Sequence, residues 1–376
     1  MTQRCDISEL QPGMILDRTI FDDNGRVLLE AGTVITDLII SMLQQRFDGS
    51  YMAAFIRSPK KELADVVSAS DGQPVAPDPK DDVMLDTDYL SLYDTVMREM
   101  QHLLEAAREN KTLNLDEIGG FIAAGHINDI CDGARAVTQL HNMQRDNDYL
   151  LHHSLHVAIL AGLMGKWLRW PAEHRERLLL AGLLHDIGKV KIPQEILDKN
   201  GKLNADEQQA MRMHPQYGYE MLCESGLGSE QSIVYGVLQH HERLDGSGYP
   251  YGIKGEEISD FGRILAILDM YDALAANRSY DHKKSPFDAF DIIFADMMAG
   301  KLDAKYGVLF VKKICQALIG SWVRLASGKK AKIVYIDQSR TSALPIVETE
   351  DGEFWDIATK KDEKIVEMMT YQEALN

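Results

Sequence analysis

Apolar residues recur along this chain at changing spacings, and the changes divide it. Over residues 1–57 they come in short runs between turn signals. MILDRTIFDDNGRVLLEAGTVI reads as two strands around Asp23-Asn24-Gly25, a hairpin-type sequence, with a second turn at Ala31-Gly32. TDLIISMLQQRF then switches to helical spacing behind Thr36 as N-cap, and SYMAAFI reads as a closing strand. Residues 58–82 are polar and carry Pro59, Pro74, Pro77 and Pro79, which makes them a linker or flexible loop. From 83 to 146 the period is helical, with Leu90, Tyr93, Met97, Met100 and Leu104 on one stripe. These connecting helices could pair two copies as a homodimer. Packing on the neighbouring domain is the default for such a stripe.

From 147 to 320 long helical-period runs are broken only by Gly and Pro, with no strand signals. From 321 to 376 the pattern alternates again. WVRLASGKKAKIVYI turns at Ser327-Gly328 and ALPIVETEDGEFWDI turns at Asp351-Gly352, a small β appendage. The tail DEKIVEMMTYQEALN reads as a short helix or frayed end. The expected fold class is mainly α, with a small N-terminal α+β domain and a short C-terminal β segment.

Composition narrows the function classes. The 376 residues suffice for two or three domains with full cores. The net charge of −18 argues against a DNA or RNA binder, whose affinity comes from basic surface meeting phosphate. A small phosphate-bearing ligand in a locally basic pocket stays open. Cys5, Cys131, Cys223 and Cys315 form no CxxC pair, so neither a zinc ribbon nor a disulfide framework is indicated. MTQRCDISEL has no apolar leader core, and no run approaches the roughly 18 uninterrupted apolar residues of a membrane span. The expectation is a cytoplasmic protein.

The chemistry begins at LLLAGLLHDIGKVKIP, residues 178–193. An apolar helical run closes on His185-Asp186, followed by Gly188 and Lys189. Burying an unpaired carboxylate is costly, and a metal ion is the simplest partner for adjacent His and Asp. The bland reading is a helix C-terminus with Gly188 as left-handed cap and Lys189 favoured by the helix dipole. Other residues tip the balance. His153 sits in DYLLHHSLHVAIL, His214 opens HPQYGYEML, His240 and His241 end SIVYGVLQHHE, and Asp269 interrupts RILAILDMYDAL. Five of twelve histidines thus lie on or at the ends of apolar helices, with two carboxylates beside them. Seven N and O donors without a thiolate suit two octahedral-leaning ions such as iron or manganese better than zinc. A bridging Asp would hold them about 3.5–4 Å apart.

HHSLHVAIL, LLHDIGKVKIP, MRMHPQYGYEML and HHERLDGSGYPYGIKGEEISDFGRILAILDMYDALAANRSY, taken in order, resemble the HD-GYP family of HD phosphohydrolases. The resemblance covers residues 147–320 and includes both signature segments; the flanking β-rich pieces resemble segments that often accompany this domain. It implies an all-helical HD domain that hydrolyses cyclic di-GMP to pGpG, and onward to GMP in some members, by attack of metal-activated hydroxide. It also implies that His153, His185, Asp186, His214, His240, His241 and Asp269 are metal ligands, with Asp186 bridging. Lys189 would contact the scissile phosphate and Arg278 would hold the substrate's phosphates. Gly248-Tyr249-Pro250 is the loop that names the family, near the site and a candidate partner surface, as is the N-terminal domain.

Two positions differ from family variants. Members with a third metal place a Glu one turn before the first His; here that residue is Tyr149, which implies a two-metal centre. Some members carry a lysine three residues after the phosphate-binding arginine; here it is Asp281, with Lys283 and Lys284 nearby. Two other readings therefore stay open: a cyclic-dinucleotide-binding or partner-docking module with little turnover, and a phosphodiesterase for a hybrid cyclic GMP–AMP.

Overall fold

The computed structural model describes residues 2–6, 10, 15–16, 20–21, 27–29, 53–57, 87–110, 113, 118, 125–131, 133–142, 149–199, 201–275, 285–336, 343–360, 362–369 and 373–374. The chain divides into two compact units, Met1–Lys80 with Asp337–Ala343, and Asp81–Ile336 with Leu344–Asn376.

In the first unit, strand β1 (Thr2–Asp6) pairs antiparallel with β5 (Ala53–Arg57), which also pairs with β2 (Ile15–Leu16). Strands β3 (Ile20–Phe21) and β4 (Val27–Leu29) form the hairpin expected around Asn24-Gly25. The helix expected in TDLIISMLQQRF and the linker 58–82 lie outside the described residues.

The second unit is a helical body. Its longer helices are α1 (Thr87–Asn110), α2 (Gly133–Asn142), α3 (Tyr149–Trp167), α4 (Ala172–Leu184), α5 (Ala205–Met211), α6 (His214–Glu224), α7 (Gln231–Gln239), α8 (Asp260–Ala275), α9 (Pro286–Met298) and α10 (Ala304–Leu318). Helix α3 is apolar all round and lies in the centre: Leu155, Val157, Ala158, Ile159, Ala161 and Leu163 are fully buried. Helices α1, α4, α8 and α10 pack on it, and α7 joins α4 to α6 and α8. Gly182 lets α4 approach α3 closely, since a Cβ there would meet the Ala158 Cα and the Val157 carbonyl oxygen at 3.1 Å. Among the described residues, no helix is long and apolar enough to cross a membrane.

Behind α10 the chain forms a five-stranded antiparallel sheet whose last strand in sequence lies at one edge, beside the first. The two hairpins read from sequence are β6 (Trp322–Leu325) with β7 (Lys330–Ile336), and β8 (Pro345–Thr349) with β9 (Phe354–Asp356). The tail corrects the expectation of a helix or frayed end. Ile365–Met369 is β10, paired with β6. Burial decides this: Ile365 and Met369 are buried, as are Val323 and Leu325 on the partner strand.

Candidate metal centre

Five helices bring the seven sequence-marked residues together. His153 lies within α3, His185 and Asp186 just past α4, His214 at the start of α6, His240 and His241 just past α7, and Asp269 within α8. The local backbone sets the directions. His185 is the right-handed C-cap of α4, and Asp186 turns the chain into a 3₁₀ turn, Ile187–Lys191. Gly188 is thus no left-handed cap. It is needed because the His214 carbonyl oxygen would lie 2.0 Å from a Cβ there. This approach seats α6, and His214 with it, against the His185-Asp186 turn.

Three ligand candidates use the same device. The Nδ1 of His185, His214 and His240 donates to the carbonyl three residues earlier, of Gly182, Met211 and Val237, at 2.7 Å each. A carbonyl accepts only, so each ring carries its proton on Nδ1 and presents an Nε2 lone pair. His153 is held by a carboxylate instead, its Nδ1 2.8 Å from Asp272 Oδ2. The Nε2 atoms then face one another, His153 and His185 at 3.2 Å, His214 and His240 at 3.3 Å. Lone pairs cannot sit so close without a proton or a cation between them. The donor atoms form two groups: His153, His185 and Asp186, and Asp186, His214, His240 and His241. Asp186 belongs to both, with Oδ2 3.3 Å from His185 Nε2 and Oδ1 3.2 Å from His214 Nε2. Asp269 also spans the centre, its Oδ1 3.1 Å from His153 Nε2 and its Oδ2 3.5 Å from His241 Nδ1. A buried His and Asp set of this kind fits divalent metal binding.

The electrostatics point the same way. Burial opposes the charge of Asp186, yet Lys189, His185 and His214 overcome it and hold its pKa well below the usual range. Asp269 is likewise depressed against burial by His153, His241 and His185. Burial lowers His240 well below its ordinary value and His241 to about 3, so both rings stay neutral with lone pairs free. Burial works against charging His153 too, but Asp269 and Asp272 raise it well above the ordinary value, a measure of how strongly that position attracts a cation. Lys189 Nζ lies 2.5 Å from Asp186 Oδ2 at the rim of the centre. Arg278, Asp281, Lys283 and Lys284 lie outside the described residues, as does the side chain of Tyr149.

With this geometry in view, residues 135–306 match the HD domain family. The chain is 35% identical over 238 residues to a cyclic di-GMP phosphodiesterase of Pseudomonas aeruginosa, covering 60% of this chain and 56% of the relative. It is 44% identical over 121 residues to a cyclic di-GMP phosphodiesterase response regulator of Xanthomonas campestris pv. campestris, 32% of each chain. It is 41% identical over 142 residues to a 3'3'-cGAMP-specific phosphodiesterase of Vibrio cholerae, covering 38% of this chain and 26% of the relative. The matched segment contains all seven of the sequence-marked residues. The chain thus spans a little over half of the first relative's length and about a third or less of the other two.

The Gly248-Tyr249-Pro250 loop folds back over the candidate ligands. The Tyr249 ring stacks on His241 at 4.5 Å between centroids, and the Arg212 guanidinium lies 5.3 Å from the Tyr249 centroid. Burial, followed by Asp269 and Asp186, pushes the Tyr249 phenol up, so it stays protonated. Gly248 admits no side chain, because a Cβ would lie 2.4 Å from the Arg243 nitrogen and the Glu242 Cα. Asp245-Gly246 forms a turn, with Gly246 at φ +83° and Asp245 Oδ1 accepting from Ser247 N. Glu242 Oε1 accepts from the backbone N–H of Tyr251 and Gly252 at 2.8 and 3.2 Å, anchoring the loop.

Sequence reading gave no supporting role to three residues beside the candidate ligands: Asp272, His156 and Tyr93. A signal existed for two. Asp272 follows Asp269, and His156 follows His153, by three residues, so each shares the helix face of a marked ligand.

Proposed function

We propose that this chain is a metal-dependent phosphodiesterase that hydrolyses cyclic di-GMP to linear pGpG, with GMP as a further product in reach. The observation that carries the reading is the pair of facing Nε2 sets joined through Asp186, with the ammonium of Lys189 beside it. His153, His185, Asp186, His214, His240, His241 and Asp269 would hold two divalent ions, iron or manganese for an all N and O donor set. When bound, such ions lower the pKa of water and neutralise charge on an attacked phosphate.

The chain's own residues supply the rest. Asp186 and Asp269 each reach both halves of the donor set and so tie them to one geometry. Lys189 is a compact cation that can meet a non-bridging phosphate oxygen, where negative charge grows during attack. Arg278 can take the second phosphodiester by a bidentate contact. Tyr249, stacked on His241, excludes water from that side of the ligands. The relatives named for cyclic di-GMP hydrolysis support the substrate. The cytoplasm suits the reading, in keeping with the free Cys131, Cys223 and Cys315.

A second reading keeps the chemistry and changes the substrate to 3'3'-cGAMP, favoured by the Vibrio cholerae relatives specific for that dinucleotide. One experiment tests both. The chain is purified anaerobically, supplied with Fe(II) or Mn(II), and given each dinucleotide beside an Asp186→Ala control. Linear product from cyclic di-GMP with the wild-type chain alone is the expected result. Turnover of 3'3'-cGAMP alone moves the assignment to the second reading; turnover of neither, with metal bound, sinks the enzyme reading for both.

A further inference from the structure

We infer that Tyr93, acting through His156 and Asp272, is a positioning residue for the metal ligand His153. The inference rests on the metal-centre reading above and assigns the helix Thr87–Asn110 a part in it.

The chain of contacts is continuous and buried. Asp269 and Asp272 lie three residues apart on α8 and hold the two edges of one imidazole. Asp269 Oδ1 is 3.1 Å from His153 Nε2, and Asp272 Oδ2 is 2.8 Å from His153 Nδ1. The other oxygen of Asp272 is 3.1 Å from His156 Nδ1. A carboxylate only accepts, so both rings donate from Nδ1 and, when neutral, keep a lone pair on Nε2. The His153 lone pair faces the centre. That of His156 faces the Tyr93 hydroxyl at 3.0 Å, which donates to it. The hydroxyl oxygen is 2.8 Å from His152 Nδ1, from which it can accept. Tyr93, His156 and Asp272 are 3%, 0% and 4% exposed, so water cannot replace a lost partner.

The direction of each hydrogen bond is therefore set from Asp272 outward, and the Tyr93 hydroxyl holds the far edge of His156. With the hydroxyl in place, His156 is held at both nitrogens, which steadies its Nδ1–H on Asp272 and the carboxylate on His153 Nδ1–H. Without it, His156 loses the hydrogen bond that the hydroxyl makes to Nε2, and its ring is held less firmly against Asp272. Helix α1 also packs against the Ile187–Lys191 turn that carries Lys189. It thus reaches the support of His153 and lies beside the turn that carries Lys189, although it precedes the matched residues 135–306.

A hydroxyl that merely fills space predicts a different result from one that orients a ligand. Tyr93→Phe keeps the ring and removes the hydrogen bond. In the full-length chain loaded with Mn(II), the expected result is an unchanged fold by circular dichroism and release of metal to a chelator about tenfold faster. With substrate, kcat falls by a similar factor while KM stays put. His156→Ala, or His156→Gln should the alanine chain not fold, gives the second arm. Because Tyr93 acts through His156, the double variant should release metal no faster than the His156 variant alone. Wild-type release from Tyr93→Phe, or additive effects in the double variant, would overturn the positioning role. Metal release is read without substrate, so the result stands apart from the choice of dinucleotide. An Asp186→Ala chain that retains its full metal would overturn the metal-centre reading itself, and the role of Tyr93 with it.

Discussion

Gly188 shows how one residue type serves a site without any chemistry of its own. Its sequence setting suggested a helix cap, but its role is close approach, with the His214 carbonyl oxygen and the Gly218 nitrogen 2.0 and 2.5 Å from where a Cβ would stand. Both neighbours are backbone, so neither can rotate away. Gly188→Ala must therefore push α6 off the His185-Asp186 turn. We expect a loss of about 3 kcal/mol in urea unfolding of the metal-free chain, at the upper end for overpacking, together with weaker metal binding because His214 moves. A loss below about 1 kcal/mol would mean that the two backbones do not meet there.

At the scale of elements, four of the candidate ligands sit where helices end. His185, His240 and His241 follow the last turns of α4 and α7, and His214 opens α6. Two of the terminal rings, His185 and His240, use a helix carbonyl left without an intrahelical donor, which satisfies the helix and fixes the tautomer together. The loop over the ligands is anchored differently, by one carboxylate accepting two backbone N–H groups. Glu242→Ala strips both. Hydrogen exchange at Tyr251 and Gly252 should quicken, with a stability loss of about 1–3 kcal/mol, while exchange within α3 is unchanged below global unfolding. Protection of those two amides equal to wild type would assign the loop's order to packing alone.

For the whole molecule, the candidate ligands come from five helices that are far apart in sequence. Anything that binds this arrangement and not the unfolded chain stabilises the fold by mass action. Free Mn(II) at a hundred times its dissociation constant should add about 2.7 kcal/mol, read as a rise of several degrees in melting temperature. The rise should vanish with chelator and shrink sharply in Asp186→Ala. An equal rise in wild type and variant would mean that the metal acts elsewhere on this acidic chain, whose net charge is −18.

The sequence by itself determined the helical body, the two C-terminal hairpins and the residues to watch. Those features are local: a 3.6-residue period, turn residues between alternating runs, and polar ligand types inside apolar helices. It could mark Asp186 and His153 because burying such groups in an apolar run demands a partner. It could not show what each ring's second nitrogen does, since Asp272 meets His153 across 119 positions and Tyr93 meets His156 across 63. The pairing of Ile365–Met369 with β6 was equally hidden, because a short amphipathic tail becomes a strand only when an unpaired edge lies beside it. Tertiary structure decided these points for one physical reason. Hydrogen-bond direction, close backbone approach and edge pairing depend on what stands within a few ångströms, and the fold alone chooses those neighbours.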